Sequence, residues 1–173
     1  MKLTLRSLFG GFCLCVLMLI LSSPAMAELR IRDWRLAHHS DKTRFVLELS
    51  DKIEFRSFAL NTPNRLVIDM PLGLVTAQFP ASKFDKLGKV KSIRHGLLGA
   101  GTTRVVLDLQ KPMRIKSAFT LPAQDGRPHR FVLDMVPVSQ AEYDQALSNV
   151  LGKYNPHDIQ LSQKPKSASP MVI

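Results

Sequence analysis

A seven-residue segment returns 60 positions later, and this repeat restricts the fold more than any other feature of the chain. Thr43-Arg44-Phe45-Val46-Leu47-Glu48-Leu49 reappears as Thr103-Arg104-Val105-Val106-Leu107-Asp108-Leu109. Related stretches precede the copies, Ile31-Arg32-Asp33-Trp34-Arg35 and Val90-Lys91-Ser92-Ile93-Arg94, and apolar-alternating runs follow them, Ile53 to Leu60 and Met113 to Thr120. Each half closes alike, with Arg65-Leu66-Val67-Ile68-Asp69-Met70 and Arg130-Phe131-Val132-Leu133-Asp134-Met135. The closing offset is 65, so the second half carries five extra residues, around Gln124-Asp125-Gly126-Arg127-Pro128. Two copies at so long a period describe a duplicated half-domain rather than a solenoid.

Within the copies the apolar period is two, the signature of strands with one buried face. Phe45, Leu47 and Leu49 fall on one side and Arg44, Val46 and Glu48 on the other; Leu66, Ile68 and Met70 oppose Arg65, Val67 and Asp69 in the same way. Val105, Leu107 and Leu109, then Phe131, Leu133 and Met135, repeat the inward set. Turn residues stand at Ser40-Asp41-Lys42, Asn61-Thr62-Pro63-Asn64, Gly99-Ala100-Gly101 and Asp125-Gly126. The expected fold is all-β: a sandwich of two four-stranded sheets built from the duplicated half-domain. The stretch from Leu72 to Gly88 is expected to hold no strand. If the two Arg-bearing strands of each half pair antiparallel, Arg44 faces Asp69 and Arg65 faces Glu48, with Arg104 facing Asp134 and Arg130 facing Asp108. Opposite charges placed so contribute roughly 0.2–1 kcal/mol each.

The flanks have another character. Lys2 and Arg6, an apolar run from Phe12 to Leu21, and Ala25-Met26-Ala27 read as a signal peptide over residues 1–27, cleaved near Ala27 and directing the chain to the periplasm. The run is short for a stable membrane anchor, which needs roughly 17–25 apolar residues. Cys13 and Cys15, the only cysteines, fall inside it, so the remainder can hold no disulfide and no thiolate metal site. Residues 28–137 carry the repeat. In 138–173, Ser139-Gln140-Ala141-Glu142 reads as the capped start of a short helix reaching about Leu151 and ending at Gly152. From Lys153 the composition is that of a flexible linker.

Taking the two leader cations from 24 Lys and Arg leaves 22 against 14 acids, a net charge of +8. Such an excess favours polyanions, and export removes nucleic acid from the partners. Anionic wall polymer, lipid head groups and acidic protein faces remain. No catalytic or metal site is expected: His38, His39, His95, His129 and His157 form no metal-binding spacing, and nucleophile elbows and phosphate-binding loops are missing. Arg32, Arg35, Lys91 and Arg94 hold matching positions in the two halves and form a candidate twofold-related basic surface. Trp34, the only tryptophan, either fills the core, as large aromatics usually do, or stacks on a sugar ring. Gly96-Leu97-Leu98-Gly99-Ala100-Gly101 is an apolar turn that could touch a partner.

The leader, the duplicated T-R-[FV]-V-L-[DE]-L strands and the R-L-V-I-D-M and R-F-V-L-D-M strands resemble the AMIN domain of cell-wall N-acetylmuramoyl-L-alanine amidases, from about Leu29 to Pro137. The resemblance implies a periplasmic β-sandwich that binds peptidoglycan and targets an amidase to the division septum for cell separation, with divisome proteins as further partners. It places zinc, the one cofactor of such enzymes, in a separate hydrolase domain whose zinc ligands and catalytic glutamate have no counterpart here. The chain alone is therefore expected not to be an enzyme and to need no cofactor. The Arg32, Trp34, Arg35, Lys91 and Arg94 set is the candidate peptidoglycan site. AMIN domains also begin outer-membrane secretins of type IV pilus systems, which is the alternative reading.

Overall fold

The computed structural model of the chain describes residues 28–79, 89–99 and 101–156; the expected leader and nearly all of the expected linker lie outside them. The described residues form nine strands: β1 (Leu29–His38), β2 (Thr43–Leu49), β3 (Arg56–Leu60), β4 (Arg65–Pro71), β5 (Gly73–Val75), β6 (Val90–Leu98), β7 (Thr102–Leu109), β8 (Met113–Leu121) and β9 (His129–Pro137). The alternating residues form strands because each leaves one face apolar. Phe45, Leu47 and Leu49 on β2 are at most 1% exposed, as are Leu66, Ile68 and Met70 on β4, Val105 and Leu107 on β7, and Phe131, Leu133 and Met135 on β9. Burial of each such side chain contributes about 1.5–3 kcal/mol, and together these residues are the core between two sheets. In the β8–β9 loop Asp125 and Gly126 take φ of 52° and 73°, the positive values that a tight hairpin turn demands.

The sheets are ordered β5-β1-β2-β9-β8 and β3-β4-β7-β6. The sandwich is as expected, but the first sheet has a fifth strand. β5 lies in the stretch expected to be strandless and pairs parallel to β1, with Leu29 opposite Gly73 and Ile31 opposite Val75. Three residues are too few to show a period, so its signal was invisible. Gly73 suits the close pairing, since a Cβ would stand 3.0 Å from both Cγ and the carbonyl oxygen of Leu29 and would push Leu29 back by a few tenths of an ångström.

The halves are also assembled differently from expectation. Neither half forms a sheet. The β1–β2 hairpin of the first half joins the β8–β9 hairpin of the second, and β3–β4 joins β6–β7. Exchanging the halves (β1 for β6, β2 for β7, β3 for β8, β4 for β9) converts the order β1-β2-β9-β8 into β6-β7-β4-β3, which is the other sheet. β2 and β4, expected to be neighbours, lie in opposite sheets, because each hairpin leaves one inner edge unpaired and the complementary edge comes from the other half.

Beyond β9 the capping box forms as read. The Ser139 hydroxyl accepts from the Glu142 N–H at 3.3 Å, and the Glu142 carboxylate accepts from the Ser139 N–H at 2.8 Å. The helix it starts, α1 (Gln140–Gln145), is shorter than expected and passes into a 3₁₀ turn at Ala146–Ser148. Leu151 then leaves the helical path to exchange two backbone hydrogen bonds with Ser57, which covers part of the β3 edge. Gly152 makes this approach possible: its φ is +94°, and a Cβ would lie 2.0 Å from the Phe55 carbonyl oxygen. The described start of the expected linker is instead packed against the sandwich, with the Tyr154 N–H donating to the Phe55 carbonyl at 3.0 Å. Tyr154 is buried, and its hydroxyl reaches Thr102 Oγ1 at 2.7 Å and the Gly101 carbonyl at 3.1 Å. Tyr143 fastens α1 similarly, accepting from the Arg65 N–H at 3.0 Å, and burial pushes its phenol up to about 12.

Candidate functional site: two equivalent arginine–acid faces

Four inner strands carry the same spacing, an arginine followed four residues later by an acid: Arg44 and Glu48 on β2, Arg65 and Asp69 on β4, Arg104 and Asp108 on β7, Arg130 and Asp134 on β9. All eight alternate with the buried set and so belong to the outer faces. Antiparallel pairing puts Arg44 opposite Asp134 and Glu48 opposite Arg130 in one sheet. In the other sheet, Arg65 stands opposite Asp108 and Asp69 opposite Arg104. The expected cross-strand charge pairing is present, but each partner is the residue of the other half. Arg44 meets Asp134 instead of Asp69, and Arg104 meets Asp69 instead of Asp134.

Asp69 is 0% exposed although its strand points it outward, because two arginines cover it. Arg104 donates from Nε at 2.7 Å and Nη2 at 2.9 Å, and Arg56 donates from Nη2 at 2.8 Å. Both guanidinium groups lie over the Phe58 ring, at 5.1 and 5.6 Å from its centroid, a cation–π arrangement. Asp134, its counterpart, accepts from Arg44 Nε at 2.6 Å and Nη2 at 2.8 Å, with Lys42 Nζ at 3.4 Å. The Arg44 hydrogen bonds hold the Asp134 carboxyl below the ordinary carboxylate value against the opposing effect of its burial, and Asp134 in turn raises Arg44.

A second pair of clusters involves the candidate arginines. Arg94 on β6 donates to Asp108 from Nε at 2.9 Å and Nη2 at 3.2 Å, beside the Ser92 hydroxyl at 2.7 Å. Burial pushes the Asp108 carboxyl up, and the hydrogen bonds from Arg94 and Ser92 more than reverse it, so its value is lowered. Arg35 on β1 forms the equivalent ion pair with Glu48. The side chains of Arg35 and Arg94 are 68% and 56% exposed, so most of each guanidinium faces water. On the β3-β4-β7-β6 face, Arg56, Arg65, Arg94 and Arg104 outnumber Asp69 and Asp108 two to one.

The other sequence-predicted residues fall as follows. Arg32 and Lys91 are exposed and occupy the same special place in each half, the extra residue of a β-bulge between Ile31 and Asp33 or between Val90 and Ser92. Arg35 and Arg94 stand opposite Val46 and Val106, which are outward residues of different sheets. The expected basic surface is therefore two surfaces, Arg32 with Arg35 and Lys91 with Arg94, on opposite sides of the sandwich. Trp34 is on neither. It is 7% exposed, stacked on Phe79 at 5.4 Å and near Phe45 at 6.4 Å, and its Nε1–H donates to the Gln78 carbonyl at 2.6 Å. The core reading holds for Trp34, and the buried ring has no face for an external sugar. Lys42, Arg56, Phe58 and Ser92 were missed. Arg56 and Phe58 share an outward period-two row, which was the available signal.

Among the described residues no three His, Cys, Asp or Glu side chains gather into a metal site. No helix among them is long and apolar enough to cross a membrane. The geometry presents exposed arginines on two sides of one core.

Comparison with known proteins gives the same region a family. The model of the AMIN domain matches residues 31–135, which contain the whole repeat. N-acetylmuramoyl-L-alanine amidase AmiC of Escherichia coli O6:H1 is 27% identical over 134 residues, 76% of this chain and 32% of that protein. N-acetylmuramoyl-L-alanine amidase AmiC of Neisseria meningitidis serogroup B is 28% identical over 116 residues, 65% of this chain and 28% of that protein. The chain thus spans about a third of the length of the curated relatives it matches.

Proposed function

The chain belongs to the AMIN domain family, and from that premise we propose that it is a periplasmic module that binds peptidoglycan through its two outer sheet faces. The observation that carries the reading is the repeated acid–arginine cluster, which leaves Arg35 and Arg94 more than half exposed on opposite faces. Peptidoglycan is a polymer whose stem peptides bear carboxylates, and an arginine fork with donors to spare is the side chain that fits them. Two equivalent faces allow one domain to hold two strands of the polymer, or two places on one strand, so that the second contact adds avidity. Both relatives are amidases, and neither is a secretin component. The further proposal is accordingly that the module serves an amidase at the septum during cell separation. The hydrolysis named for the relatives is assigned to the part of those proteins this chain does not match.

The test is co-sedimentation of residues 28–173, which carry all nine strands, with isolated sacculi across a salt series. Retention at moderate salt is expected. Arg35→Ala or Arg94→Ala should each weaken it several-fold, and the two together should lower it by far more than either. A double variant that sediments like the unsubstituted chain would refute the assignment of the faces. An unsubstituted chain that never sediments would refute the binding itself.

A further inference from the structure

We propose that the end of the sandwich formed by the C-terminal part of β6 and by β5 is a lipid-contact surface that seats the domain on an anionic phospholipid bilayer. Of the five large apolar side chains exposed among the described residues, four are at this end: Leu97 (72%), Leu98 (37%), Leu72 (47%) and Leu74 (45%). Hydrogen bonds bring their two segments together. The Leu72 N–H donates to the Gly101 carbonyl at 2.8 Å, and Thr103, which pairs with Leu97, accepts from the Gly73 N–H at 2.9 Å. The leucines therefore project from a braced end and are not loose side chains.

Behind Leu98, on the outer face, lies a shallow groove of about 160 Å³ lined by the β6 residues from Arg94 to Leu98, His95 included, and by Arg104 and Val106 of β7. Gly96 opens it: a Cβ at this position would meet nothing within 4 Å, and its counterpart in the first half is Ala37. Arg94 and Arg104 each give two nitrogens, Nε and Nη2, to an aspartate and keep the rest of the guanidinium for another acceptor.

Exposed apolar side chains beside guanidinium groups are complementary to a bilayer with acidic head groups, where leucines enter the acyl boundary while cations meet phosphates. The groove is open on one side and too small to enclose a drug-sized molecule, but it accepts one phosphate with its cations on the wall and its leucines at the lip. This contact shares Arg94 with the peptidoglycan reading and adds Leu97 and Leu98, which lie outside the Arg35 and Arg94 ion pairs and so are the positions that tell the two contacts apart.

The experiment is flotation of residues 28–173 with vesicles of phosphatidylglycerol and phosphatidylethanolamine, and in parallel with phosphatidylcholine vesicles. Binding to the acidic vesicles alone is expected, and Leu97→Asp should lower it about tenfold while leaving sacculus retention and the thermal midpoint unchanged. Leu97 is mostly in water, so that variant keeps its fold. A second variant, Leu97→Asp with Leu98→Asp, should abolish flotation. Flotation that survives Leu97→Asp, or that is equal on phosphatidylcholine, overturns the proposal. A chain that ignores both vesicle types also overturns it and turns the leucines toward a protein partner.

Discussion

The exchange of strand partners between the halves has an energetic signature that a double-mutant cycle can read. Asp69 is fully buried and accepts three hydrogen bonds, two from Arg104 and one from Arg56. Asp69→Asn removes the charge, keeps the volume, and turns an amide N–H₂ toward two guanidinium groups. Removing one partner of a buried ion pair costs about 3–5 kcal/mol. The side chains of Arg56 and Arg104 remain 28% and 27% exposed and can recover some hydration, which places the expected cost at the lower end, about 3 kcal/mol. Arg104→Gln leaves Asp69 with Arg56 only and should cost about 2 kcal/mol. Because the two residues share hydrogen bonds, the double variant should fall short of additivity by about 1–2 kcal/mol. The control is Arg44 with Asp69, the pair that would touch if each half formed its own sheet. Those residues lie in opposite sheets, so their coupling should stay within about 0.5 kcal/mol of zero. Urea unfolding followed by fluorescence suits the measurement, since Trp34 is the only tryptophan and is buried. Strong coupling of Asp69 to Arg44 with none to Arg104 would refute the exchanged topology.

Two further outcomes follow from the same contacts. Asp134 and Asp108 have lowered values in the folded chain, so their contribution to stability is complete above the unfolded value near 3.8 and is lost as pH falls through the folded value. Stability should therefore decline from about pH 5 downward, and Asp134→Asn, less stable at neutral pH, should decline less steeply in urea titrations between these limits. Gly152→Ala forces a Cβ against the Phe55 carbonyl at positive φ and should cost about 1–3 kcal/mol. It should also release the tail segment, seen as faster proteolysis at Lys153 with the sandwich intact; equal cleavage rates would show that the latch carries no strain.

Much of this architecture is written locally. The period of two in Phe45-Val46-Leu47-Glu48-Leu49 and its three relatives marks strand, inward face and outward face together, because side chains alternate across a pleated backbone. Asp125-Gly126 announces its turn and Ser139 with Glu142 its cap for equally local reasons. β5, Tyr154 and the placement of Trp34 were illegible or left open. A three-residue strand has no period, and a tyrosine inside a polar tail is buried only because Gly152 lets the backbone come against Phe55.

The partner of each strand is a different kind of question. β2, β4, β7 and β9 all present arginine and then, four residues on, an acid, so any antiparallel pair among them matches charge to charge and apolar face to apolar face. Duplication made the four strands nearly interchangeable, and local chemistry cannot rank degenerate partners. The tertiary structure decides, because each hairpin buries one apolar face against the opposite sheet and pairs its remaining inner edge with a hairpin of the other half. That choice sets Arg35 and Arg94 on opposite sides of one core, giving two faces where the sequence suggested a single surface.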